Sequence, residues 1–202
     1  MKAKLREHLK KVRETVTEVV RVLALHKYPD DSRTVMVAGL LFTIIEHHRS
    51  ILLLITSGSE RSAISLIRDV VDGMYYGLWI NGCATPEQIH SIKTDDEFPV
   101  KLPEMMKATD TKYEANAFFE DVKNQVGVSL YKANRSGIIQ FGRWSIDANA
   151  RLPDNARELY DVTTAATACI LLLAGEFLAK QNHAAESKAV GILAKDYFKP
   201  SA

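Results

Sequence analysis

Proline and glycine are scarce, at 6 and 10 of 202 residues, and no run of alternating apolar and polar residues is long enough for a convincing strand. A chain with so few turn formers has to be built from long elements. Cysteine is scarcer still. Cys83 and Cys169 cannot make a disulfide framework, and neither has a second Cys or a His at zinc-ligand spacing, so reduced thiols are expected. The formal net charge of +1 excludes attraction of nucleic acid by a whole-molecule field; only local patches could do it. The basic start "MKAKLREHLKKVR" lacks the apolar centre of a signal peptide. The longest apolar stretches, "VMVAGLLFTII" and "ACILLLAGEFLA", are too short or too charge-interrupted for a membrane span of about 20 residues. A soluble, cytoplasmic protein without membrane contact is the expectation. There is no glycine-rich phosphate loop, no Gly-x-Ser-x-Gly elbow and no His-Glu-x-x-His, and no cofactor or metal is expected.

What is present is helical periodicity. Apolar residues recur every three or four positions from Leu5 to Leu25, and the pattern stops before "KYPDD". Asp31 or Ser32 caps a second helix to about Ser57, with Val37, Leu40, Leu41, Ile44, His48, Ile51, Leu52 and Ile55 on its buried stripe. Ser59 caps a third helix that runs to about Ile80 and ends at "NGC". Thr85, Pro86 and Gln88 in "TPEQ" have the spacing of a capping box. Residues 94 to 111 are acidic and hold Pro99 and Pro103, which predicts a loop with one helical turn around "LPEMMKA". A fourth long helix is predicted from about Lys112 to Ala133, a fifth from a cap at Asp154 to Gln181, and a short one over "AESKAVGILAKDYF". With no linker and no internal repeat, residues 1–202 are expected to form a single all-α domain, an antiparallel helical bundle of about five long helices plus short ones.

Two polar clusters stand out. On the third helix Arg61, Ser65, Arg68, Asp72 and Tyr76 project onto one strip, opposite Ala63, Ile64, Ile67, Val70, Val71, Met74 and Leu78. Arg68 and Asp72, four apart, can pair on the helix surface. Two arginines beside hydroxyls could also hold a phosphate through bidentate guanidinium contacts. Trp79 falls on the same strip, so part of it is expected to be covered. The second cluster is "ANRSGIIQFGRW", where Asn134, Arg135, Ser136, Gln140 and Arg143 supply more polar groups than a turn requires. Local charge fits either reading: residues 122–157 hold six basic and two acidic groups, whereas residues 86–121 hold nine acidic and four basic. The adjacent His47 and His48 point in different directions on a helix and cannot share one metal; His48 falls on the apolar stripe. Glu87 and His90 form one Glu-x-x-His, without the second pair that a di-iron bundle needs.

Residues 49–89, "RSILLLITSGSERSAISLIRDVVDGMYYGLWINGCATPEQI", together with "YKANRSGIIQFGRW", resemble a group of uncharacterised bacterial helical proteins. The shared pattern is a Ser-Ala-x-x-Leu-x-Arg helix, an acidic residue four positions on, an aromatic-Trp end and a Cys-Ala-Thr turn. Those proteins are similar, at a distance, to the HEPN superfamily (higher eukaryotes and prokaryotes nucleotide-binding), which includes metal-independent endoribonucleases of toxin and antiphage systems. The resemblance implies an all-α, HEPN-like fold, homodimerisation and a polar cleft. It also marks a departure, because Arg135 stands where the resembling proteins commonly have His. The nuclease branch uses Arg followed four to six residues later by His, and Arg135 has no such His; Arg21 to His26 matches only formally, in the first helix. An arginine cannot act as a base near neutral pH, so a proton-transfer position becomes a charge-binding one.

Two readings follow. In one, the protein acts on RNA or binds a nucleotide, as a toxin or antiphage-defence type protein with a silenced histidine position. Arg68, Asp72 and Arg135 are its catalytic candidates, Arg61, Asn134, Ser136, Gln140, Arg143 and His48 its ligand-binding ones, and the activity is at most that of a metal-independent endoribonuclease. In the other, it is a non-enzymatic helical module that dimerises or docks a cognate partner protein.

Overall fold

The computed structural model describes residues 2–95, 98–116, 119–120 and 156–198. Among these the regular elements are helices: α1 (Lys2–Ala24), α2 (Ser32–Thr56), α3 (Glu60–Ser65), α4 (Ile67–Gly82), α5 (Pro86–Asp95), α6 (Leu102–Tyr113), α7 (Ala156–Lys180) and α8 (Ala184–Phe198). The all-α expectation holds, with no strand among the described residues.

The helix at the centre is α7. Every residue from Ala165 to Ala174 is buried, so this helix is apolar on all sides and needs neighbours all round. It has them in α1, α2, α4 and α8. Side-chain pairs fix the directions. His48 and Thr34 of α2 meet Thr167 and Gln181, and Val190 and Tyr197 of α8 meet Gly175 and Thr164, so both helices run antiparallel to α7. His8 of α1 meets Thr163, while His26, just beyond α1, meets His183, just beyond α7; these two helices run parallel. Gly77 and Asn81 of α4 meet Leu173 and Glu176 in ascending order, so α4 is parallel to α7 as well. Three helices thus run one way and two the other.

Local chemistry explains the ends. Asp31 caps α2, accepting from Thr34 N at 3.1 Å and from the Thr34 hydroxyl at 2.6 Å, which holds its carboxyl below the ordinary range. The capping box of α5 is reciprocal: Thr85 N donates to Gln88 Oε1 at 2.9 Å, and Gln88 N donates to Thr85 Oγ1 at 3.2 Å. At the end of α4, Arg33 of α2 donates to the Ile80 and Ala84 carbonyls, groups a helix terminus leaves without partners. Between α7 and α8, Asn182 takes a left-handed φ of 62°. His183 N then donates to Leu178 O and Asn182 N to Ala179 O, the paired bonds of a Schellman turn.

Three expectations need correction. The third helix is two helices, α3 and α4, separated at Leu66, and Ser59 makes no side-chain cap bond. Ser62 and Ser65 explain the weak point, since the Ser65 hydroxyl bonds the Ser62 carbonyl and competes with the helix ladder. Residues 94 to 111 hold more than one turn, because Pro103 sits in the first turn of α6, where no backbone donor is missed, and Met105, Thr109 and Tyr113 then supply a buried stripe. Lys112 and Tyr113 consequently end α6 rather than start a fourth long helix. Residues 117–118 and 121–133 of that predicted helix, and the Asp154 cap, lie outside the described residues. The two apolar stretches lie inside α2 and α7, helices longer than the stretches themselves. By length and composition alone α2 and α7 could each cross a membrane, although α7 is buried as a core helix is.

Glycine brings α4 close to its neighbours. A β-carbon on Gly73 would come within 2.6 Å of an Ile44 methyl, and one on Gly77 within 2.6 Å of a methyl of the fully buried Leu173. Overpacking costs about 1–3 kcal/mol, more than the ~1 kcal/mol that leaving glycine gains in a helix. Gly77→Val should therefore lower unfolding free energy by about 2 kcal/mol in urea melts. Gly191→Ala on α8, where nothing lies within 4 Å, should raise it by about 0.5–1 kcal/mol.

Candidate functional site

With Val70, Gly73, Met74, Gly77, Leu78 and Trp79 all buried, α4 has one side left for solvent. That side continues the exposed side of α3. Arg61, Ser65 and Arg68 are exposed on it, and Asp72 and Tyr76 are half-buried, so the strip drawn from the sequence exists across the break at Leu66. Arg68 Nε donates to Asp72 Oδ2 at 3.4 Å. The pair is loose, and 65% of the Arg68 side chain stays accessible. Burial pushes the Asp72 carboxyl above its ordinary range, the Arg68 charge and hydrogen bond pull it back, and Asp69 adds a smaller upward push. A partly desolvated acid whose cation is only half engaged can exchange that cation to a ligand anion. Tyr76 is covered by Phe98, their rings stacked at 4.4 Å, and Trp79 is buried beneath the strip, as the covering of part of it required.

Of the other candidates, His48 does not join this surface. His48 was expected among the ligand-binding residues. It is wholly buried on the far side of α2, where its Nε2 lies 3.2 Å from Thr167 Oγ1. Reaching a surface ligand would require opening the bundle. Asn134, Arg135, Ser136, Gln140 and Arg143 lie outside the described residues.

Two features escaped the sequence reading. The first is that His48 has a counterpart: His8 of α1 is buried, lies 2.8 Å from Thr163 Oγ1, and stacks on Tyr160 at 3.7 Å. Both threonine hydroxyls donate to the carbonyl four residues back, at 2.8 Å, so each histidine must donate its Nε2 proton to the threonine oxygen. The Nδ1 of His48 is left buried without a hydrogen-bond partner. Its protonation would place a charge in apolar surroundings near Arg49, and burial first, then that cation, pulls the His48 pKa down to about 4. Burial and Lys11 do the same to His8, again to about 4. The second feature is the outer side of α2, where Val35, Gly39, Phe42, Glu46, Arg49 and Leu53 share one exposed stripe. Phe42 is 50% and Leu53 68% accessible. A helix apolar on nearly every side, rather than on one, was the signal available in the sequence.

Neither thiol adds chemistry. Burial pushes Cys83 upward and Cys169 to about 12, against the activation a nucleophile needs. Glu176 is also raised by burial, with Asn116 Nδ2 donating to its Oε1 at 2.7 Å.

Together these observations describe an all-α bundle with one open arginine-acid strip and one open apolar stripe. The chain belongs to a family of unknown function, DUF6988, whose model matches residues 42–187. No curated protein and no solved structure matches it.

A consequence of the two buried histidines can be read from pH. Each has a folded pKa below its unfolded value of 6.5, so the unfolded chain binds more protons in between. Stability is complete above the unfolded value and falls as pH drops from 6.5 toward 4, by about 1.4 kcal/mol per pH unit for each histidine. Asp72 and Glu176, raised in the folded state, act with the opposite sign at lower pH. Urea melts between about pH 7 and about pH 5 should show this decline, and His8→Gln with His48→Gln should flatten it.

Proposed function

We propose that the protein is a HEPN-like helical module that works as a homodimer, two copies pairing antiparallel through the outer stripe of α2. The observation that carries this reading is the self-complementarity of the stripe. Two α2 helices related by a two-fold axis midway between residues 47 and 48 bring Phe42 opposite Leu53 of the second copy and Glu46 opposite Arg49 of the second copy. Each contact occurs twice, which is what an isologous interface requires. Gly39 has nothing within 4 Å and lets a neighbouring helix come close. A charge pair at the centre of the stripe argues for a protein surface over a lipid one. The dimer implied by the HEPN resemblance points the same way.

Sedimentation at micromolar concentration should give a dimer. Phe42→Asp should weaken it by at least about 2 kcal/mol, the scale of an interface anchor. Arg49→Glu should dissociate it by placing like charges together, and Glu46→Arg combined with Arg49→Glu should restore it. A monomer in all four proteins would sink the reading, and association only with vesicles would reassign the stripe to a membrane.

A second reading, in which the module binds RNA or a nucleotide in a toxin or antiphage-defence setting, is favoured by the open strip of α3 and α4. The half-engaged Arg68 is placed to accept a phosphate, with Arg61 and Ser65 on the same face. Arg135 would add charge and could not carry a proton. In this reading single-stranded RNA binds with a salt-dependent affinity, and Arg68→Ala lowers the slope of log K against log salt by about 0.7, one phosphate contact. Fluorescence anisotropy with tRNA and unstructured RNA measures this. An unchanged slope would remove Arg68 from the interface, and RNA cleavage gained in Arg135→His would extend the reading to a silenced nuclease.

A further inference from the structure

At one end of the bundle the segment after α1 meets the turn between α7 and α8. Three side chains converge there: His26 from the first, His183 from the Schellman turn, and Glu186 from the first turn of α8. One donor atom from each lies within 4.8 Å of the others. The imidazoles of His26 and His183 are stacked at 3.9 Å with 28° between their planes. His26 Nε2 is 3.1 Å from Glu186 Oε1 but out of line for a hydrogen bond, so a buried ring nitrogen has no hydrogen-bond partner. Buried polar atoms are normally satisfied, and this one faces a carboxylate oxygen and a second imidazole.

We propose that His26, His183 and Glu186 form a binding site for a divalent transition-metal ion, with zinc the best match. Two imidazoles with one carboxylate suit zinc and its neighbours, whereas magnesium and calcium prefer oxygen alone. Three protein ligands leave a fourth position to water or a small ligand, the pattern of an open zinc site. Bonds of about 2.0–2.2 Å put donors about 3.3 Å apart in a tetrahedron. His26 and Glu186, 3.1 Å apart, already meet that spacing, and the widest pair has to close by at most about 1.5 Å, within reach of a ring rotation. The supports are in place. Asn182, at φ 62°, reverses the chain so that His183 opens α8, with its carbonyl accepting from Ser187 N at 2.9 Å. Glu186, three residues on, then shares its side of the helix. On the opposite segment Tyr28 donates its hydroxyl to Leu23 O at 2.8 Å, and its ring packs on Phe177 at 4.9 Å and edge-on to His183 at 5.9 Å. Metal here clamps the end of α1 to the start of α8.

The test uses the full chain, freed of metal by chelator and titrated with zinc chloride by calorimetry and with cobalt chloride by visible absorption. One saturating equivalent and a cobalt spectrum of low-coordinate nitrogen and oxygen ligation are expected. His26→Ala, His183→Ala and Glu186→Gln should each lower affinity at least tenfold, while the helical content and metal-free melting of Glu186→Gln match the parent protein. His90→Ala, on exposed α5, should bind as the parent does. The proposal is overturned if the parent shows no saturable binding, or if Glu186→Gln binds zinc as well as the parent, which would make the cluster an imidazole-carboxylate ion pair.

Discussion

A threonine hydroxyl inside an apolar helix has one proton to give and lone pairs to satisfy, and in α7 both needs are met twice. Thr163 and Thr167 give their protons back to their own helix and accept from His8 and His48, which come from two different neighbours. Apolar packing alone would let α1 and α2 slide or rotate along α7, since one aliphatic surface resembles another. A buried imidazole N–H that must find an oxygen does not permit sliding by a turn. The threonines stand four apart, so the two histidines are held one turn apart along α7. That fixes α1 and α2 against the central helix, and the remaining helices pack on the surface so defined.

The glycines of α4 act alongside this polar register. By admitting Ile44 and Leu173 to its backbone, α4 sinks between α2 and α7 until only one side remains open. The polar strip is therefore less a special construction than the one side that close packing leaves to water. Its content, with two arginines, an acid and a covered tyrosine, is what turns an unavoidable surface into a candidate for recognition. The outer side of α2 is open for a different reason. It has no neighbour among the described helices, although its composition is that of a helix with one.

Helices whose burial is one-sided and whose ends are marked by Asp31, Thr85 and Gln88, or the "NGC" stop, could be read directly from spacing. The break at Leu66 could not, because the competition between the Ser65 hydroxyl and the helix ladder is decided locally and leaves the apolar period intact. Proline misled at α6, where Pro103 tightens a helix start instead of excluding a helix. The strip on α3 and α4 was legible because its members share one face. His8 with Thr163, and His26 with His183, were not: their partners lie more than 150 residues apart, and only the parallel course of α1 and α7 brings them together. His183 and Glu186 do stand three apart in the sequence, but a pair at that spacing means little until a third ligand arrives from elsewhere.

The parallel pairing of α1 with α7 also has a history in time. In chain order α1 comes well before α7, and 155 residues separate His8 from Thr163. At a synthesis rate of about 5–20 residues per second, α1 waits roughly 8–30 s for its partner. Throughout that interval Val12, Val16, Val19 and Val22 lack the surface of α7, and their stripe is open to chaperones or to other nascent chains. The helix that lies wholly outside the family match is thus one whose docking waits on a distant partner.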